Sequence, residues 1–64
     1  MFEFNEYEYK ELCKKAMLND ELSEIFLYKI KGYSITKIAL KMHMSERTVN
    51  RRVKELKRKI MKCL

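Results

Sequence analysis

In sixty-four residues this chain has no proline and a single glycine, Gly32. A sheet of several strands needs tight turns, and tight turns draw on those two residues. With 47% hydrophobic and 38% charged residues, the chain reads instead as a few close-packed helices, an all-α fold. A chain this short removes only about 60% of its unfolded surface from water. We therefore expect one domain over residues 1–64 with a small core.

Helix starts are marked by short polar residues. Asn5 followed three residues later by Glu8 has the form of a capping box, with Phe4 and Tyr9 at the staple positions on either side. Tyr9, Leu12, Cys13, Ala16 and Met17 then recur at helical spacing, and a first helix is expected over 6–17. Asn19 or Asp20 caps a second helix, 20–31, closed by Gly32 in the left-handed position that follows a helix. Its apolar residues Leu22, Ile25, Phe26, Leu27 and Ile30 cover an arc of about 200°, which predicts a central helix. Lys29 lies inside that arc, so its stem must pack while its ammonium reaches water. Ser34 caps a third helix, 35–42, with Ile35, Ile38, Ala39 and Met42 inward and Ala39 small enough for a helix crossing. After a turn at His43 and Met44, Ser45 caps a fourth helix, 46–62. The reading is a four-helix domain ending in a helix-turn-helix.

The last helix carries the functional signal. Val49, Val53, Leu56 and Ile60 fall on one line at steps of four, three and four. Arg47, Arg51, Lys54 and Arg58 repeat those steps on the opposite side without alternating acids. Charge is also divided along the chain: residues 1–26 hold seven acids against three lysines, a net −4, while residues 27–64 hold twelve bases against Glu46 and Glu55, a net +10. So strong a basic half produces the focused positive potential of a polyanion binder.

Other classes lack their residues. There is one histidine, no glycine-rich phosphate loop and no metal-ligand cluster, so neither an enzyme, a cofactor nor a metal is expected. Cys13 and Cys63 have no metal-type spacing and read as free thiols. No apolar run approaches the roughly 18 residues of a membrane span, and the acidic start lacks the basic region of a signal peptide. A cytoplasmic protein is expected. The acids have plain uses as i,i+4 pairs: Glu6 to Lys10, Glu11 to Lys15 and Glu55 to Lys59.

The segment Gly32 to Val53, GYSITKIALKMHMSERTVNRRV, resembles the helix-turn-helix of LuxR/GerE regulators and of sigma-factor region four. The shared residues are Gly32, Ser34, Ile38, Ala39, Ser45, Thr48 and Val49, and Leu18, Asn19, Glu24, Ile25 and Phe26 resemble the preceding LuxR-type helix. His43 stands where many members have glycine, and Asn50 where lysine is common. The likeness covers about residues 18–60 and leaves the two families open, since an extra N-terminal helix is closer to sigma region four.

The resemblance implies sequence-specific binding of double-stranded DNA by a transcriptional regulator, with the fourth helix in the major groove. It assigns Ser45 and Thr48 to the phosphate backbone, the former through the helix N-terminus. Glu46, Arg47, Asn50, Arg51 and Lys54 would reach base edges or nearby phosphates, whereas Arg58, Lys59 and Lys62 lie too far along to read bases. Two further partners stay open: RNA polymerase, which sigma region four also touches and which would make the chain an interaction module, and a second copy. Tyr7, Leu27, Met61 and Leu64, exposed by periodicity, are the residues on which a homodimer would draw.

Overall fold

The computed structural model describes residues 3–64. Among them are four helices and no strand: α1 Glu6–Lys15, α2 Asp20–Ile30, α3 Ile35–Met42 and α4 Glu46–Met61. The all-α, four-helix reading holds, and α3 has its expected bounds.

Every helix starts on a side-chain cap. The Asn5 side chain accepts from the Glu8 amide at 2.8 Å and the Glu8 carboxylate accepts from the Asn5 amide at 3.0 Å, a complete capping box. Asn19, rather than Asp20, caps α2, accepting from the Leu22 amide at 2.8 Å. Ser34 and Ser45 accept from the Lys37 and Thr48 amides, each at 3.1 Å. Each bond satisfies one donor that the first helical turn leaves without an acceptor.

The ends differ more from expectation. α2 stops at Ile30, one residue early, because Gly32 takes φ 85° and the amides of Gly32 and Tyr33 return to the carbonyls of Lys29 and Tyr28. This is a Schellman closure, and the Tyr28 and Tyr33 rings stack at 5.3 Å as its apolar contact. α1 stops two residues early by the same pattern, with Met17 and Leu18 amides bonded to the carbonyls of Lys14 and Cys13. Met17, expected on the apolar face of α1, is instead left-handed at φ 52° and 84% exposed. The reversal turns Leu18 onto the core. α4 ends at Met61, one residue early, where Lys62 and Cys63 amides tighten onto Arg58 and Ile60.

A left-handed methionine is strained, because its Cβ crowds the following carbonyl. Met17→Gly is expected to raise stability by about 0.5 to 1 kcal/mol, the strain relieved outweighing the added freedom of the unfolded chain. The check is a rise in Tm of several degrees, as about 1 kcal/mol moves a domain of this size by 4 to 8 °C.

The core consists of Leu12 from α1, Leu22, Ile25 and Phe26 from α2, Ile38 and Ala39 from α3, and Val49, Val53, Leu56 and Ile60 from α4. α2 packs on α1 and α4, and α4 packs on α2 and α3. The centre is thus the α2/α4 pair rather than α2 alone. Leu27, expected exposed, is half-buried, as is Lys29, which fits a packed stem. Ile35 and Met42 are only half-buried against the core.

Phe26 is the seat of the aromatic packing. The Phe4 ring meets it edge-on at 5.6 Å and Tyr9 lies tilted at 5.1 Å, so the two staple residues close over α2 rather than only over each other. The Tyr9 hydroxyl donates to the Ser23 carbonyl at 3.0 Å. Burial, with the Cys13 thiol and the Glu24 carboxylate adding to it, pushes the Tyr9 phenol up from 10.0 to about 12. The fold therefore favours the neutral phenol, and this stabilisation is complete below about pH 10 and lost as pH rises from 10 to about 12. Tyr9→Phe should cost about 1 kcal/mol at neutral pH through the lost hydrogen bond. In base titrations followed by circular dichroism, the substituted chain should lose less stability over that window than the parent.

Candidate nucleic-acid interface

α3 and α4 are joined by three residues, His43, Met44 and Ser45, and the joint is built around His43. His43 is left-handed at φ 56°, ψ 45°, and the Ala39 carbonyl accepts from both the His43 and Met44 amides. That closure, in the position where many members of the resembling families carry glycine, redirects the chain so that Ser45 caps α4. Histidine tolerates this region better than a branched residue does.

Val49, Val53, Leu56 and Ile60 are all buried, which fixes the rotation of α4 about its axis. Glu46, Arg47, Asn50, Arg51, Lys54 and Arg58 are consequently all exposed. Arg47, Asn50, Arg51 and Lys54 border one shallow depression with no carboxylate on its rim. Arg51, Lys54 and Arg58 border the next one along the helix, together with Arg52 and Glu55. The cationic line expected from spacing is thus one continuous surface.

At the helix start the Ser45 hydroxyl accepts from the Thr48 amide and donates to Thr48 Oγ1 at 2.9 Å. Thr48 is half-buried by this arrangement. Of the anion-binding amides expected there, those of Glu46 and Arg47 have no acceptor within the helix, and they sit at its positive end. Glu46 lies beside them without bordering either depression.

Arg52 escaped sequence reasoning. It is half-buried, and its guanidinium reaches Glu21 at the start of α2 and Glu55 at 3.9 Å. Glu55 therefore faces Arg52, not Lys59 as expected; Glu6 and Lys10 do pair, at 3.4 Å, whereas no ion pair joins Glu11 to Lys15. The Arg52 to Glu55 spacing was legible, but the Glu21 partner stands 31 residues away. Arg52 is spent on joining α4 to α2.

A second basic surface lies on α3. Lys37 Nζ sits 4.2 Å from the Tyr33 ring centroid and Lys41 Nζ 5.8 Å, so the ring holds both cations on the outer side of α3. Leu40, on the same helix, is 73% exposed. Their i,i+4 spacing was readable; the ring beside them was not.

No helix is long and apolar enough to cross a membrane among the described residues. Compared with known proteins, residues 15–60 match the family model of sigma-70, region 4. No curated protein and no solved structure matches the chain. The matched span takes in the end of α1, all of α2 and α3, and α4 through Ile60, including every exposed cation described above on α4. The chain therefore belongs to the sigma-70 region 4 family of helix-turn-helix domains.

Proposed function

We propose that this protein is a transcriptional regulator, acting in the cytoplasm, that binds specific sequences of double-stranded DNA by laying the first two turns of α4 in the major groove. The observation that carries this is the carboxylate-free depression bordered by Arg47, Asn50, Arg51 and Lys54 on a helix whose opposite face is locked in the core. Arginine pairs bidentately with guanine and asparagine with adenine in the major groove, and glutamate accepts from cytosine. Arg47, Arg51 and Asn50 are accordingly the base readers, with Glu46 able to meet a cytosine. Lys54 and Arg58 follow the backbone, and the Ser45 end of α4, with Thr48, receives a phosphate. The motif shared with LuxR/GerE regulators supports the same use of the helix.

Selection from random duplexes is the test. A short enriched motif containing guanine and adenine is the expected result; retention without any enrichment contradicts base reading. A second reading, contact with RNA polymerase, is favoured by the acidic first half of the chain, whose exposed Glu6, Glu8, Asp20 and Glu24 lie outside the cationic stripe. Capture of polymerase by a chain that binds no duplex would establish that reading instead.

A further inference from the structure

The face of α1 turned toward the end of α4 has no role in DNA reading, yet among the described residues it is an open surface on which apolar and charged side chains alternate. A groove there is bordered by Phe4, Tyr7, Glu8, Glu11, Lys15 and Leu64. Tyr7 is 72% exposed and Leu64 79%, and the two border the same groove. Acids occupy the rim near the start of α1 and a lysine the rim near its end. Among the described residues neither Glu11 nor Lys15 is in an ion pair, although their spacing would allow one.

We propose that this groove binds a second copy of the chain, two α1 helices lying antiparallel across a two-fold axis. Only an antiparallel partner sets the acidic rim of each copy against Lys15 of the other while bringing Tyr7 and Leu64 of both out of water. A two-fold contact must be complementary to itself, and an α1 with acids in its first turns and lysines in its last turn meets that condition. This charge order selects a second copy as the occupant; a uniformly acidic rim would call for a basic partner. The groove lies near the far end of α4 from Ser45, about 24 Å along a helix of 16 residues. Both reading surfaces therefore stay open in the dimer. A standard interface takes about 800 Å² from each partner, about a sixth of the 4677 Å² this chain exposes, and a contact selected by rim charges is salt-sensitive.

The test uses charge exchange in the full chain, read by sedimentation equilibrium at low salt. The parent should self-associate. E8K/E11K, with an all-basic rim, and K15E, with an all-acidic rim, should each lose about tenfold or more in association, as like charges face each other. Mixed one to one, the two variants should form a heterodimer at close to parental strength, because both rim contacts are then restored. Glu8 belongs to the capping box, so circular dichroism accompanies each variant, and E11K alone replaces the double variant if its helix content falls. A parent that stays monomeric, variants that associate like the parent, or a mixture that fails to pair would each overturn the proposal. So would a strictly monomeric chain that binds RNA polymerase through Tyr7 and Leu64. None of these outcomes depends on whether α4 reads DNA.

Discussion

Phe26→Ala is expected to leave the chain unfolded at 25 °C. Phe26 is fully buried on α2, the largest side chain so enclosed, and it is the surface on which Phe4 and Tyr9 close. Truncating a buried phenylalanine costs about 3 to 5 kcal/mol, from lost transfer free energy and the cavity left behind. A single core in a chain below about 70 residues rarely supplies more than 3 to 5 kcal/mol in total. The two quantities are equal in size, so no reserve remains. Two aromatic contacts are lost as well, the edge-on one with Phe4 and the tilted one with Tyr9, each worth about 0.5 to 1.5 kcal/mol beyond area. Far-ultraviolet circular dichroism should show the loss of helix, and a cooperative thermal transition near the parental one would contradict the placement of Phe26.

Arg47→Ala and Arg51→Ala should each narrow the gap in affinity between a preferred and an unrelated duplex by about 5- to 150-fold, the equivalent of the 1 to 3 kcal/mol that a bidentate arginine contributes. Both side chains stand on solvent-exposed turns of α4 beside Asn50, and neither is tied to the fold by an ion pair among the described residues. Their removal should leave the thermal transition in place. Lys62 is exposed and Lys59 half-buried at the far end of α4. Alanine at either should weaken all duplexes alike and reduce the magnitude of the log-salt slope by up to about one. Equal losses of discrimination from both pairs would mean that α4 docks in another orientation. The two pairs are compared on the same duplexes, with the preferred one taken from selection.

Helix starts were legible because a cap is a local event: Asn5, Asn19, Ser34 and Ser45 each bond an amide three residues on. The burial of α4 was legible for a related reason, since a sixteen-residue helix repeats its pattern often enough to fix its rotation. Helix ends were less so. Gly32 announced the end of α2, but Met17 carries no such signal, although it is left-handed where Leu18 turns onto the core. Side-chain pairing was the least legible. Glu55 was read against Lys59 on its own helix, while in the fold Arg52 gathers both Glu55 and the distant Glu21. Of the candidate site, the exposed line Arg47, Asn50, Arg51, Lys54 and Arg58 emerges as read, and Thr48 proves half-buried behind Ser45. Lys37 and Lys41 were passed over because what distinguishes them is Tyr33, which lies on the loop before their helix.

The central claim is that the cationic face of α4 engages a duplex, and a titration of duplex DNA at several salt concentrations tests it most directly. Each phosphate neutralised contributes about 0.9 to the slope of log affinity against log salt. Lys54, Arg58, Lys59 and Lys62, the cations assigned to phosphates, acting together therefore predict a slope of roughly −3 to −4, reduced by about one when any of them becomes alanine. A slope near zero, or one indifferent to all four substitutions, would contradict the account and leave the stripe as a solvated face.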